Sequence, residues 1–170
     1  MKKAKTLVVA LILALLLPSA AWAAWPDKPV TLIVPMPAGG NVDMVARLIV
    51  PYLEKDLGQK VIIRNVSGTA GIIGTTEAAR AKPDGYTFLV SPVGPLTIQP
   101  QIRKTNYTVD SFNFLNMLIV APNFLMVLPN APWKDFDDFV ADAKANPNKY
   151  AYGSAGPATI PFFSGYAVAK

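Results

Sequence analysis

The sequence contains no cysteine and no histidine among its 170 residues. The absence of cysteine excludes disulfide bonds and thiolate chemistry. The absence of histidine removes the commonest metal ligand in proteins and the commonest general base in enzymes. We therefore expect neither a metal site nor a cofactor in this chain.

The net positive charge is also small outside the N-terminal leader. The formal net charge is +5, but three lysines lie in the first five residues, before an apolar run (Leu7–Leu17) that is short for a membrane span. Ala21–Ala23 follows as a small-x-small cleavage pattern. This arrangement predicts a signal peptide over residues 1–23 that is cleaved after Ala23, with an uncleaved membrane anchor as the alternative. The remaining chain has no Lys/Arg cluster, so we expect no nucleic-acid partner.

Strand-like and helix-like patterns alternate from residue 29 to residue 90. The β-branched run Pro29–Pro35 is typical of a strand covered on both faces. Apolar residues then recur every three or four positions from Val42 to Leu57, Gly58 stands where a helix ends, and Pro51 is expected to kink or split this helix. Because strands and helices alternate, we predict an α/β fold with a parallel sheet. The later elements of this alternation are a strand at Lys60–Asn65, a helix ending near Ala81 and a strand at Tyr86–Val90.

The second half of the chain is less regular. Phe114–Pro129 contains two apolar runs. Either both runs are core strands, or one of them is a crossover segment between two lobes. Trp133–Pro147 has the periodicity of an amphipathic helix with acidic residues in its first turn. The stretch from Lys149 onward predicts a strand, a glycine-rich loop and the beginning of a helix.

Three loops share one composition: each follows an apolar strand, is rich in Gly, Pro, Ser or Ala, and leads into a helix. In an open parallel sheet such loops gather outside the carboxyl ends of the strands, where ligands bind. Glycines allow a ligand to approach the backbone, and the N–H groups of a helix N-terminus favour an anion. The same loops would also serve as ordinary turns, and composition alone leaves both interpretations open. The loops are Pro35–Asp43, with Asn41 as a candidate helix cap, Ser91–Thr97 and Gly153–Ile160.

Two other glycine patterns fit known phosphate-binding motifs poorly. Gly68, Gly71 and Gly74 depart from the GxGxxG spacing of dinucleotide-binding loops, and the region where such loops require an acidic residue, about 20 positions further on, is the turn KPDG. Ala38–Asp43 lacks the lysine of a Walker loop. The acidic residues that begin the Trp133–Pro147 helix are interpreted as a solvated helix start. We therefore predict no catalytic residue.

Several segments form a characteristic combination when they are taken together: WPDKPVTLIVPMPAGGNVDMVAR, LEKDLGQKVIIRN, GTAGIIGTTEAARAKPDGYTFLV, WKDFDDFVADAKANP and YGSAG. In their order and spacing they resemble the receptors of tripartite tricarboxylate transporters, the Bug family of periplasmic binding proteins. The resemblance implies a two-lobed α/β Venus flytrap of the type II periplasmic-binding-protein class. Such a receptor is not an enzyme: it closes on a small carboxylate in the periplasm and delivers it to inner-membrane permease subunits. A full-length member is expected to be a monomer.

The resemblance also implies where the ligand binds. In the family, the loop after the first strand and a glycine-rich loop of the second lobe hold the ligand carboxylate, largely through backbone amides, hydroxyls and waters. By position these loops are Pro37–Asp43 and Gly153–Gly156 here, with a third loop contributing less. The predicted ligand-binding residues are Pro37, Ala38, Gly39, Gly40, Asn41, Asp43, Ser91, Thr97, Gly153, Ser154, Ala155 and Gly156.

The predicted domain organisation follows from the same resemblance. We assign residues 24–120 to the first α/β lobe and residues 121–170 to the start of the second. Family members have about twice this length, as two lobes of ordinary domain size require, so the second lobe is expected to be incomplete at its C-terminal end. An exported α/β enzyme that acts on a small carboxylated substrate, or a truncated fragment that binds nothing, remains an alternative.

Overall fold

The computed structural model describes residues 25–154, 156 and 159–168. The predicted signal peptide at residues 1–23, its cleavage point after Ala23 and the predicted ligand contact Ala155 lie outside the described residues. Among the helices in the described ranges, none combines the length and the apolar character that crossing a membrane requires.

A three-stranded parallel sheet forms the centre of the N-terminal half. In sequence its strands are β1 (Val30–Val34), β2 (Val61–Asn65) and β3 (Thr87–Leu89), and their order across the sheet is β2-β1-β3. β1 is therefore central and pairs in parallel with both neighbours. All three strands lie within the predicted apolar runs, which confirms the α/β class with a parallel sheet.

Two helices connect these strands. Helix α1 (Asn41–Leu57) joins β1 to β2, and helix α2 (Ile72–Ala79) follows a 3₁₀ turn at Thr69–Gly71 and joins β2 to β3. α1 ends as predicted at Gly58, whose φ of 65° lies in the left-handed region that favours glycine at a helix C-terminus. The first crossover runs from β1 to β2, and the second runs in the opposite direction from β2 past β1 to β3. This reversal is the arrangement of a doubly wound sheet.

Pro51 does not split α1. The helix is continuous from Asn41 to Leu57, although a proline removes one backbone donor from a helix interior. Pro51 lies on the exposed side of the helix, where water can satisfy the carbonyl that loses its donor. The predicted split of the helix at this position was therefore wrong.

The core lies between α1 and one face of the sheet. Val30, Leu32 and Val61 are buried at its centre, and burial of each such side chain contributes about 1.5–3 kcal/mol. α2 contacts β1 and β3 and lies on the opposite face, as right-handed crossovers require. The side chains that pack around the core are Val50, Leu53, Leu57, Ile63, Tyr86, Phe88 and Val90.

The sheet with α1 and α2 forms the N-terminal body. The chain continues from β3 into a short helical segment that packs back on this body. A π-helical turn (Gly94–Ile98) leads into helix α3 (Gln99–Ile102). The buried side chain of Tyr107 returns to this segment, and its hydroxyl donates a hydrogen bond to the carbonyl of Pro95 at 2.7 Å. The N-terminal body thus extends along the chain beyond the sheet as far as Tyr107.

Residues 113–128 form neither strand nor helix, so the core strands predicted within Phe114–Pro129 are not formed. The apolar side chains of this segment are exposed, Met126 by 83%. A strand is stable only when it pairs with neighbours and one of its faces is covered. No strand among the described residues pairs with this segment.

Two helices follow in the C-terminal part, α4 (Phe136–Ala145) and α5 (Ile160–Val168). α4 confirms the predicted amphipathic helix, and Asp135 caps it by accepting a hydrogen bond from the amide of Asp138 at 2.9 Å. The strand predicted at the start of the stretch from Lys149 is not formed.

A small aromatic cluster stabilises the beginning of this part. The indole of Trp133 lies 5.1 Å from the ring of Phe139 and 5.0 Å from that of Tyr150, measured between centroids. Asp142 accepts hydrogen bonds from Tyr150 and from the indole N–H of Trp133, and these bonds lower the pKa of its carboxyl.

Candidate functional site

The loops that follow the three strands meet at the carboxyl edge of the sheet. From β1 the chain crosses to β2, which lies on one side of β1 in the sheet, and β3 lies on the other side of β1. The loop after β1 and the loop after β3 therefore border the point where the strand order reverses. Open α/β sheets bind ligands in the crevice at this point, so these loops form the candidate site.

The loop after β1 is a tight turn that leads directly into α1. Gly39 has φ of 79°, a left-handed conformation that an L side chain rarely adopts. The amide of Gly40 donates to the carbonyl of Pro37 at 3.3 Å, and the carbonyl of Gly40 accepts the first helical bond from the amide of Met44 at 2.9 Å. The turn thus places the N-terminus of α1 at the carboxyl edge of the sheet.

Asp43 holds this loop in place from inside. Its side chain is only 1% exposed, and one carboxylate oxygen, Oδ2, accepts hydrogen bonds from the amide of Gly39 at 2.7 Å and from Nε of Arg47 at 2.8 Å. The other oxygen, Oδ1, accepts from Nδ2 of Asn65 at 3.0 Å. The bond from Arg47 and then the bond from Gly39 lower the pKa of Asp43 to about 2.

Sequence reasoning found Asp43 but missed its partners. The spacing of Asp43 and Arg47, four residues apart on one helix, is a signal for an ion pair. Asn65 is distant in sequence, and nothing in the local pattern connects it with the loop. The structure places the Asp43 carboxylate against protein groups, so its expected role is to shape the loop.

The first turn of α1 lies at the carboxyl edge of the sheet, directly after the loop that follows β1. The N-cap residue is Gly40 rather than Asn41, so the expected capping role of Asn41 was wrong. Its Oδ1 atom instead accepts from the amide of Val42 at 2.9 Å. Because the first amides of an α-helix have no intrahelical acceptor, the N–H groups of Asn41 and Asp43 are available as hydrogen-bond donors.

The loop after β3 contributes hydroxyl groups that bond locally. The hydroxyl of Ser91 donates to the carbonyl of Pro92 at 3.0 Å, and that of Thr97 donates to the carbonyl of Val93 at 3.2 Å. A hydroxyl oxygen keeps acceptor capacity while it donates. Ser91 and Thr97 therefore keep the capacity to accept a further hydrogen bond.

Gly71 packs the loops after β1 and β3 against each other. A Cβ atom at this position would lie 2.5 Å from Cγ of Pro95 and 3.1 Å from Cε of Met36. Thr75 supports the same contact by donating to the carbonyl of Gly71 at 2.8 Å. Gly71 therefore serves close packing of the two loops, in accord with the poor fit of this glycine pattern to a dinucleotide-binding motif.

The predicted second loop lies just before α5. The amide of Gly156 donates to Oγ of Ser154 at 3.3 Å. Thr159, which sequence reasoning did not name, donates to the carbonyl of Gly156 at 2.7 Å and caps the helix by accepting from the amide of Phe162 at 3.4 Å. Within the described part of the chain, no hydrogen bond or ion pair joins this loop to Pro37–Asp43.

Two surface grooves lie along α2, away from the loops at the carboxyl edge of the sheet. One is lined by Ile72, Ile73 and Thr76 among others, and a second by Thr31, Arg64 and neighbouring side chains. Arg64 is already paired with Glu77 in the second groove. Within the described ranges, no group of three or more acidic side chains is arranged to hold a metal ion.

The sequence matches the family described as the tripartite tricarboxylate transporter family receptor, TctC, over residues 45–164. The chain belongs to this family. The resemblance seen in the sequence is thereby confirmed, and members of the TctC family are periplasmic binding proteins.

Among relatives, a UPF0065 protein of Agrobacterium vitis, from the TAR-I ttuE-ttuC' intergenic region, is 33% identical over 156 residues. The match covers 90% of this chain and 45% of that TctC relative. The chain thus spans less than half the length of this curated relative.

Two solved structures have the same fold. Rpa4515 of R. palustris, solved with adipate, is 32% identical with a TM-score of 0.62, over 79% of this chain and 46% of that one. MatC (Rpa3494) of Rhodopseudomonas palustris, solved with bound malate, is 33% identical with a TM-score of 0.62, over 71% and 42%. These similarities confirm the predicted type II periplasmic-binding-protein class.

Proposed function

We propose that this chain is part of a periplasmic receptor that captures a small organic acid by its carboxylate. The observation that carries the proposal is the N-terminus of α1, whose N–H groups at Asn41 and Asp43 lie at the reversal point of the sheet. Family membership and the adipate and malate bound by two relatives support it.

The charge balance of the loop favours a carboxylate held by dipoles. Asp43 and Arg47 neutralise each other at 2.8 Å, so neither offers an unpaired charge to the ligand. Aligned N–H groups at a helix N-terminus stabilise a negative charge by about 0.3–1 kcal/mol, and more when the site is partly buried. A carboxylate can therefore bind without a lysine or arginine of its own.

The remaining predicted contacts complete this proposal. Pro37, Ala38, Gly39 and Gly40 form the wall of the first loop, and Ser91 and Thr97 accept hydrogen bonds from hydroxyl groups of the ligand. Residues 24–120 form the first lobe and residues 121–170 belong to the second, in which Gly153–Gly156 binds the other side of the ligand through Ser154. A ligand that bridges both loops stabilises the closed state.

The proposed partners and location follow from the family. The leader is cleaved after Ala23, the receptor works in the periplasm as a monomer, and it delivers its ligand to inner-membrane permease subunits of a tripartite transporter.

Isothermal titration of the purified protein with adipate, malate and citrate tests the proposal. We expect heat of binding with at least one acid and none with the matching amide or ester, because only the carboxylate carries the charge that the helix N-terminus favours. The absence of heat with all the acids would refute the proposal.

A matched pair of glycine variants locates the site. Gly39 and Gly58 both have left-handed φ, of 79° and 65°, and open space where a Cβ would be. Either substitution by Ala therefore strains the backbone by about 1–2 kcal/mol, but only Gly39→Ala puts a methyl group beside the ligand. We expect Gly39→Ala to weaken binding by about tenfold or more, and Gly58→Ala to leave the affinity near that of wild type.

A further inference from the structure

We propose that Asn65 is a positioning residue for the ligand loop, acting through Asp43. The inference rests on the proposed function, since it concerns the loop that would hold the carboxylate. Asn65 lies at the end of β2 and is not part of the loop after β1 or of α1. Its amide nitrogen nevertheless bonds to both.

The geometry of Asn65 explains why it can join these elements. It pairs with Val34 at the last position of the β1–β2 ladder, so its backbone is fixed by the sheet. Its Nδ2 atom donates to Oδ1 of Asp43 at 3.0 Å and to the carbonyl of Met36 at 3.2 Å. An amide nitrogen carries two hydrogens, and each is used to attach one part of the loop to the sheet.

The bond to Asp43 determines how that carboxylate faces the loop. Oδ2 of Asp43 accepts from the amide of Gly39 and from Arg47, so Oδ1 is the oxygen that Asn65 holds. Without Asn65, the carboxylate would be free to turn toward Arg47 and release the amide of Gly39. The turn that places the N-terminus of α1 at the carboxyl edge of the sheet would then lose its internal support.

The chemistry of the position requires a neutral donor. A carboxylate in place of the Asn65 amide would stand about 3 Å from that of Asp43, and two charged carboxylates at that distance repel each other. Protonation of one of them would restore a donor and the contact. The titratable groups in contact at this position are Asp43 itself and Arg47.

Two variants test the inference in ligand binding. We expect Asn65→Ala to weaken binding of malate or adipate by about tenfold or more at every pH. We expect Asn65→Asp to bind weakly at pH 7.5 and to recover toward the wild-type affinity near pH 4.5, with wild type measured in parallel because the ligands also titrate. Asn106→Asp adds the same charge at an exposed position and should follow wild type.

A second readout does not depend on the ligand. Hydrogen exchange of the Gly39 amide should be slow in wild type and in Asn106→Asp, and fast in Asn65→Ala and in Asn65→Asp at pH 7.5, relative to the intrinsic rate at each pH. If wild type binds none of the acids, the proposed function fails, and this readout alone decides the role of Asn65. Wild-type protection of Gly39 in Asn65→Ala, or lost protection with unchanged affinity, would overturn the inference.

Discussion

Asp43 carries a negative charge at the N-terminus of α1, where the proposed ligand would bring another. Nε of Arg47 lies 2.8 Å from its carboxylate, so the charge of Asp43 is balanced within the same helix. The helix N-terminus is therefore left with N–H dipoles rather than an unpaired aspartate. This pairing makes an acidic residue compatible with the proposed anion site on the same helical turn.

Substitution of Asp43 by Asn is expected to remove an acid-sensitive part of the stability. The pKa of Asp43 falls from 3.8 to about 2 on folding. Because the folded pKa is the lower one, the carboxylate stabilises the fold fully above pH 3.8, and this contribution is lost as the pH falls toward 2. In urea unfolding, we expect a lower midpoint for Asp43→Asn at pH 5 and a smaller decrease of its midpoint on acidification.

The control for this prediction lies on the same helix. Asp56→Asn removes the same charge from an exposed position of α1, so it should keep the acid dependence of wild type. Equal acid dependence of Asp43→Asn and wild type would contradict the role given to Asp43.

The turn after β1 could be predicted from the sequence, but its internal support could not. The glycines and prolines between β1 and α1 specify a turn locally, and the assignment of Pro37–Asp43 to ligand binding stays a prediction from the resemblance. The burial of Asp43 depends on Asn65, which is 22 residues away along the chain. A residue in the first turn of a helix has the same local pattern whether its side chain faces solvent or a partner on another strand.

At the scale of elements, the prediction succeeded where an element is covered by its near neighbours in sequence. β1, β2 and β3 follow their apolar runs because α1 and α2 return each strand to the same sheet. The two runs within Phe114–Pro129 are equally apolar, but no described strand pairs with them. Apolar composition therefore indicated which segments can form a strand. Whether a segment did so depended on a neighbouring strand with which it could pair.

The packing of α2 on β1 depends on Gly74. A Cβ atom at this position would lie 2.4 Å from the carbonyl oxygen of Val66 and 2.8 Å from Cα of Pro35. We expect Gly74→Ala to lower the free energy of unfolding by about 1–3 kcal/mol, because rigid backbone atoms must move apart. Urea unfolding followed by circular dichroism measures this change.

Gly94→Ala provides the comparison for this substitution. Nothing lies within 4 Å of a Cβ atom at Gly94, so we expect a change within about 0.5 kcal/mol. A similar loss of stability in both variants would show that loss of a glycine, and not the contact with Pro35, is responsible.

At the scale of the whole molecule, residues 113–128 separate the N-terminal body from the helices that follow. We expect their backbone amides to exchange hydrogen nearly as fast as those of an unfolded reference, because they form neither strand nor helix. The amides of β1 should exchange slower by orders of magnitude, since the strand is bonded on both sides. Mass spectrometry of proteolytic peptides measures both, and slow exchange across 113–128 would contradict the exposed state of this segment.

The central claim is that backbone amides of α1 bind a carboxylate, and an NMR titration of the ¹⁵N-labelled protein with malate or adipate tests it most directly. The account predicts saturable shifts of the Asn41 and Asp43 amide signals with the same apparent Kd as the calorimetric titration. In Gly39→Ala these shifts should require a higher ligand concentration, and in Gly58→Ala they should match wild type. Saturable binding that leaves the Asn41 and Asp43 signals unmoved would contradict the claim.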